Sequence, residues 1–145
     1  MKDNPASKQV GGSHYQTKGV QHVQFCQHNR IPWCEAAAIK YLIRHRLKNG
    51  KQDLEKAKHY LEFCCFEDYL VRKECPTDMD PKKFTIPVAK FLKDNAVPKE
   101  EGEIVEMVLS HQVLLGEGTL LQAIKRIDKL IKTYGKEEDF SSLLD

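Results

Sequence analysis

The sequence lacks the features that mark several common classes of protein. No apolar run approaches the roughly 20 residues that cross a bilayer, and residues 1–10 show no apolar stretch typical of a secretory signal. The five cysteines form no C-x-x-C pair, so we expect free thiols, with no disulfide framework and no metal site. No G-x-x-x-x-G-K-[ST] occurs, which excludes a P-loop nucleotide site. These absences predict a protein of a reducing, intracellular compartment with no membrane span.

Strand-like alternation is also missing over any useful length, whereas helical periodicity recurs along the chain. The predicted fold class is therefore all-α. At 145 residues the chain has the size of one ordinary domain. Its predicted segments are an arm over 1–10, a motif-bearing helical region over 11–72, a connector over 73–82, a C-terminal helical region over 83–135 and an acidic tail over 136–145.

Apolar spacing and turn residues predict a short helix over 20–29, followed by a helical hairpin. Its first helix runs over about 33–48 and ends at Asn49-Gly50, and its second runs over about 53–71, with Asp53 or a neighbour as its cap. Three further helices are predicted over 87–95, 99–115 and 119–134. Gly135 is the predicted end of the last of these.

The first hairpin helix is predicted to be amphipathic. At about 100° per residue, its apolar face consists of Ala36, Ile39, Leu42, Ile43 and Leu47. Tyr41, Arg44 and Lys48 lie roughly opposite, and Lys40 lies at the border. Arg46 falls on the apolar side, so it must snorkel, find a carboxylate or meet an anion.

The second hairpin helix has two apolar surfaces in its later half. One stripe, which allows it to fold back on the first helix, consists of Leu54, Ala57, Tyr60, Leu61, Cys64 and Cys65. Phe63, Phe66 and Leu70 lie on the opposite side. This second surface predicts a homo-oligomer rather than a monomer.

Positive charge is concentrated in the hairpin. From Ala36 to Tyr60 there are seven Lys or Arg and two Asp or Glu, a net +5 in a chain whose total is +2. Lys40, Arg44 and Lys48 are spaced four apart, so they would stack along one flank and suit a polyphosphate. A solvated helix face explains the same spacing.

Three other groups are candidates for a site. The loop Gly11-Gly12-Ser13-His14 can present backbone N–H groups to an anion, or can be an ordinary N-terminal loop. Glu35 and Asp53 are the nearest acids, able to hold a cation, orient Arg46 or accept a hydroxyl proton, although helix capping also explains Asp53. Some aromatic residues can stack on a base or simply belong to the core, namely Tyr15, Trp33, Tyr41 and Tyr60.

Taken in order, these motifs resemble a small phage family of nucleotide kinases. The resemblance covers residues 11 to about 62. It is carried by Gly11-Gly12-Ser13-His14-Tyr15, Ala38-Ile39-Lys40-Tyr41, Arg44, Lys48-Asn49-Gly50, Asp53-Leu54, Lys56-Ala57 and Tyr60-Leu61. The chain departs from the family pattern at Ala36, Ala37 and Ala38, where the family usually has Gly-Asn.

The resemblance implies phosphoryl transfer from a nucleoside triphosphate, ATP or a dNTP, to a deoxynucleoside monophosphate in the cytoplasm of an infected cell. Its implied catalytic residues are His14, Lys40 and Arg44. Its implied phosphate- and substrate-binding residues are Gly11, Gly12, Ser13, Tyr15, Lys40, Tyr41, Arg44, Arg46, Lys48 and Asp53. The residues do not indicate whether Mg²⁺ takes part.

Two alternatives stay open beside the kinase. One is a nucleotide-binding protein that sequesters or senses its ligand, which needs only cations and aromatic rings. The other is a helical module that binds nucleic acid or a partner. Nucleic acid is the less favoured ligand, because a pI of 8.2 is low for a surface dominated by phosphate contacts.

Overall fold

The computed structural model describes residues 19–71, 79–113 and 118–144. These residues contain α-helices and one short 3-10 turn, Pro81–Lys83, and no strand. The predicted all-α class is confirmed. In chain order the helices are α1, His22–His28; α2, Trp33–Arg44; α3, Lys51–Val71; α4, Val88–Asp94; α5, Lys99–Ser110; and α6, Thr119–Leu144.

The predicted hairpin is confirmed, but its first helix ends earlier than expected. α2 ends at Arg44, and residues 45–50 form a turn closed by the Gly50 N–H, which donates to the His45 carbonyl at 2.8 Å. Gly50 has a φ of +54°, the left-handed conformation predicted for the stop. Because helical spacing does not continue past Arg44, Leu47 is 71% exposed rather than on the apolar face, and Lys48 does not extend a row with Lys40.

Four helices, α2, α3, α5 and α6, pack around the core. α2 packs on α3 and α5, and α6 packs on α3 and α5, so each of the four has two neighbours. The motif-bearing hairpin and the C-terminal helices therefore share one core. The buried α3 residues follow the predicted stripe, and include Leu54, Ala57, Leu61 and Cys64.

α1 and α4 cover one side of this bundle. The rings of Phe25 and Phe91 are fully buried and stack with their centroids 4.2 Å apart. The side-chain amide of Asn29 ties the chain before α4 to α1, since it donates to the Ile86 carbonyl at 2.9 Å and accepts from the Ile86 N–H at 3.1 Å. These contacts fix α1 against the C-terminal half.

The last helix is longer than predicted. The prediction that Gly135 ends it is wrong, because α6 continues to Leu144 and includes the acidic tail. A glycine inside a helix costs only about 1 kcal/mol relative to alanine, which a long helix tolerates.

The second apolar surface predicted for α3 is described only in part. Phe63 is 44% exposed, whereas the side chains of Phe66 and Leu70 lie outside the described part of the chain. Within the described residues, no helix is both long and apolar enough to span a membrane.

Candidate functional site

The basic residues of the hairpin have two different environments, one beside buried carboxylates and one beside tyrosine rings. The inner environment starts with Arg44, whose Nη2 donates to Oδ1 of Asp53 at 3.1 Å. Arg44 is buried and Asp53 is completely buried. The other carboxylate oxygen of Asp53 accepts the backbone N–H of Asn49 at 3.1 Å. Asp53 therefore closes the turn between the hairpin helices and neutralises Arg44.

The next two residues, His45 and Arg46, also lie beside a buried carboxylate. Nη2 of Arg46 donates to Oε1 of Glu101 at 2.9 Å, and Glu101 is only 1% exposed. Of the outcomes predicted for Arg46, the carboxylate partner is found, and its side chain also reaches the surface, at 56% exposed. Nε2 of His45 lies 3.5 Å from the same Glu101 oxygen, and Nδ1 of His45 hydrogen-bonds to the Tyr134 hydroxyl. We call Arg44, His45, Arg46, Asp53 and Glu101 the inner cluster.

The inner cluster joins the end of α2 to three other helices. Arg44 contacts α3 through Asp53, Arg46 contacts α5 through Glu101, and His45 contacts both α5 and α6. Burial lowers the pKa of His45 below its usual value, although the nearby Glu101 carboxylate opposes the shift. A neutral His45 accepts at one ring nitrogen and donates at the other. The cluster thus acts as a polar junction in the fold.

The outer environment surrounds a pair of tyrosine rings. Tyr41 of α2 and Tyr60 of α3 stack in parallel, with centroids 5.8 Å apart and an interplanar angle of 2°. Nζ of Lys56 lies 5.3 Å from the Tyr41 ring centroid, and Nζ of Lys40 lies 5.7 Å from it. All four side chains are half-buried. We call Lys40, Tyr41, Lys56 and Tyr60 the tyrosine–lysine face.

The two environments meet at Arg44. Its guanidinium carbon lies 4.5 Å from the Tyr41 ring centroid while its Nη2 bonds to Asp53. Arg44 does not form an accessible row with Lys40 and Lys48, because α3 packs on that flank and supplies Asp53. Cations within about 6 Å of an aromatic centroid are attracted to its ring. Arg44 therefore holds Tyr41 in place.

Glu35, the second acid named from the sequence, is also inside the protein. It is 5% exposed, accepts the thiol of Cys64 at 3.0 Å, and lies 3.6 Å from Nε2 of His111. Burial raises the pKa of Glu35, but the contacts from His111 and Cys64 outweigh this effect and hold the pKa below its ordinary value. Glu35 and Asp53 are both buried, so neither presents an exposed carboxylate at the tyrosine–lysine face. Asp53 orients Arg44, whereas Arg46 is oriented by Glu101.

Sequence reasoning missed two residues of this region, Lys56 and Glu101. Lys56 had a usable signal, because it lies four residues before Tyr60 and so shares its side of the helix. The sequence around Glu101 also carries a usable signal. It precedes Ile104, Val105 and Val108 at helical spacing, which places a carboxylate on the core side of α5, where it needs a partner.

The remaining candidates fall outside these environments or outside the described chain. Lys48 is exposed in the turn after α2. Gly11, Gly12, Ser13, His14 and Tyr15 lie outside the described residues. Within 19–71, 79–113 and 118–144, no three His, Cys, Asp or Glu residues converge in a way that could hold a metal ion.

Residues 8–62 match the family model DUF3310. Its description is a protein of unknown function. The matched range covers the glycine loop, α1, α2 and the first part of α3, which is the same part of the chain that carries the motif set. No curated protein matches the chain, and no solved structure matches it.

Proposed function

We propose that the protein is a nucleotide-binding phosphotransferase that acts on a nucleoside monophosphate. The single observation that carries the binding part is the tyrosine–lysine face, where Lys40 and Lys56 flank the stacked rings of Tyr41 and Tyr60. Nucleotides combine a phosphate chain with an aromatic base. Ammonium groups beside aromatic rings suit both parts of such a ligand.

The inner cluster supports giving the phosphate-binding role to the lysines of the face rather than to Arg44 and Arg46. Arg44 and Arg46 each bond a buried carboxylate, so their charges are already offset. Lys40 and Lys56 then supply the positive field of the face. Their half-buried positions strengthen that field, since a charge is screened less near protein than in bulk water.

The proposed chemistry needs electrostatic help more than it needs a base. A monophosphate acceptor has its second pKa at about 6, so its attacking oxygen is already anionic at neutral pH. The main obstacle is repulsion between two anionic substrates, which positioned cations reduce. The burial of Glu35 and Asp53 is therefore compatible with a kinase. In this proposal Lys40 has a catalytic role, Arg44 is a positioning residue, and the glycine loop with His14 retains the role that the resemblance implies.

Several finer predictions belong to the same proposal. The donor is a nucleoside triphosphate, ATP or a dNTP, and the protein acts in the cytoplasm of an infected cell. Phe63, at 44% exposed, is the described part of the surface predicted to support a homo-oligomer. Light scattering at micromolar concentration tests the oligomer directly, and a monomer contradicts it.

The proposed activity is tested by a coupled survey of each deoxynucleoside monophosphate with a triphosphate donor, with and without Mg²⁺. The variants are Lys40→Ala and Lys56→Ala, with Lys132→Ala as the control, since Lys132 is an exposed lysine on α6. A hydrogen bond to a charged group contributes about 1.5 to 3 kcal/mol, so each face variant should lose about tenfold or more in kcat/KM. Diphosphate formation that both face variants retain would contradict the assignment.

A second candidate is a nucleotide-binding protein without turnover, which the burial of Glu35 and Asp53 favours. Glu35 and Asp53 are buried and hydrogen-bonded, so neither is presented to a ligand on the face. Calorimetry separates the two candidates. Nucleotide binding that Lys56→Ala weakens, in a protein that forms no diphosphate, supports capture. Binding of any oligonucleotide with a steep salt dependence would instead favour a nucleic-acid module.

A further inference from the structure

Trp33 is the largest exposed apolar side chain on the hairpin. It is the single tryptophan of the sequence, it begins α2, and it is 77% exposed. Sequence reasoning allowed this ring either a core position or a place against a base. Its exposure removes the core position. An indole presents a wide planar surface that gains strongly from stacking or burial.

Trp33 lies on the same flank of α2 as Lys40. At about 100° per residue, the two residues fall within about 20° of each other. With a rise of about 1.5 Å per residue, Lys40 is about 10 Å along the helix axis from Trp33. On α3, Phe63 lies one turn beyond Tyr60, on the side away from Lys56, and is 44% exposed. The α2 flank therefore has the exposed ring of Trp33 at one end and Lys40 further along.

The chemistry changes along this flank as it changes along a nucleotide. A nucleotide has a planar base at one end and negative phosphates at the other, separated by a sugar. Bases stack on aromatic side chains regardless of their identity, and phosphates are attracted to lysine. A ligand with its phosphates at Lys40 and Lys56 has its base directed toward either the tyrosine pair or Trp33. Tyr41 and Tyr60 are half-buried and stacked on each other, and Trp33 is more exposed than Phe63, at 77% against 44%.

We propose that Trp33 stacks on the base of the nucleotide whose phosphates are held by Lys40 and Lys56. This inference rests on the proposed function and adds a base subsite to it. Stacking of this kind tolerates any base, so Trp33 should contribute affinity rather than base selectivity.

The test uses the fluorescence of Trp33, which reports on this position alone because the chain has no other tryptophan. The full-length protein is titrated with dTTP, dTMP and ATP, and separately with inorganic tripolyphosphate. A stacked base should quench the emission in proportion to calorimetric saturation. Tripolyphosphate should bind in calorimetry and leave the emission unchanged, since it has phosphates and no base.

Substitutions at Trp33 give a second readout. Trp33→Ala should weaken dTTP binding by about five- to a hundredfold and leave tripolyphosphate binding unchanged. Trp33→Phe retains a ring and should recover most of the loss. Leu121→Ala is the matched control, because Leu121 is an apolar residue of α6 that is 56% exposed, and it should change neither affinity.

The possible failures are distinguishable. If dTTP binds to Trp33→Ala with full affinity and the wild-type emission does not respond, the base subsite is overturned while the proposed function stands. If neither dTTP nor tripolyphosphate binds, the proposed function fails and the subsite fails with it. Emission that depends on protein concentration and not on ligand assigns Trp33 to self-association, which also overturns the subsite.

Discussion

The inner cluster and the tyrosine–lysine face come from the same short stretch of basic sequence, yet they differ in what neutralises their charge. In the inner cluster, Arg44 and Arg46 bond Asp53 and Glu101, carboxylates that are 0% and 1% exposed. On the face, Lys40 and Lys56 are half-buried beside the ring of Tyr41. Charge density in a sequence therefore does not identify a binding site by itself. The packing of neighbouring helices decides which cations are paired with buried carboxylates.

The largest expected effect is loss of stability when the inner cluster is broken. Asp53→Ala leaves Arg44 buried beside no carboxylate and removes the acceptor of the Asn49 N–H. Removal of one partner from a buried ion pair costs about 3 to 5 kcal/mol. Urea denaturation monitored by circular dichroism measures the free energy of unfolding.

The control for that substitution is Glu55→Ala, which removes an exposed carboxylate two residues further along α3. It should change the free energy of unfolding by no more than about 0.5 kcal/mol. A loss below about 1 kcal/mol for Asp53→Ala would place the Arg44–Asp53 pair with ordinary surface pairs. The contrast between the two environments would then be withdrawn.

Acidification should also weaken the contact between α1 and α2, through His22. Its Nε2 donates to the Ala36 carbonyl at 2.7 Å. Burial lowers the pKa of His22 from 6.5 to about 4, with Lys40 adding to the shift and the Ala36 bond opposing it. Because the unfolded chain takes up the proton first, stability is fully present above the unfolded pKa and falls between pH 6.5 and about 4. The loss over this window is about 3 kcal/mol.

The measurement is the difference in unfolding free energy between pH 7.5 and pH 4.5, for wild type and for His22→Gln. The variant should be less stable at pH 7.5 and should show a smaller loss on acidification. Val23→Ala, at a neighbouring residue that is 64% exposed, should keep the wild-type pH dependence. If His22→Gln keeps the full dependence, the titration arises elsewhere.

The sequence was a good guide to helices and a poor guide to charge partners. Apolar periodicity located the hairpin, and Asn49-Gly50 located its turn, because both signals are local. The end of α2 was misplaced, since the bonds that close the turn involve Asp53, which belongs to the next helix. Arg46 was recognised as needing a partner, but Glu101 lies 55 residues away and is brought close only by the packing of α5 against α2. The implied roles of Gly11 to Tyr15 stay predictions.

Two glycines should respond to alanine with opposite signs. Gly50 has a φ of +54°, and a Cβ there would lie 3.2 Å from Cε1 of Tyr134. Gly50→Ala should therefore destabilise the turn that supports the inner cluster, by about 1 to 2 kcal/mol. Gly135 lies within α6 with open space around its Cα, so Gly135→Ala should stabilise the protein by about 0.5 to 1 kcal/mol. Thermal unfolding of both variants checks the signs. Stabilisation by Gly50→Ala would show that the turn relaxes without cost.

The smallest expected change in stability belongs to the tyrosine–lysine face. Lys56→Ala removes the cation 5.3 Å from the Tyr41 ring, an interaction of about 0.5 to 1 kcal/mol at exposed sites. Lys58→Ala, two residues along α3, removes the 2.9 Å pair with Asp128 and should cost a similar amount, between about 0 and 1 kcal/mol.

Lys56 and Lys58 should differ in their effect on nucleotide binding, because of these two only Lys56 lies beside the tyrosine pair. Nucleotide affinity should fall in Lys56→Ala and persist in Lys58→Ala, with urea denaturation and calorimetry run on both. A large loss of stability in Lys56→Ala would make the face structural, and an equal loss of affinity in both variants would reduce its role to general surface charge.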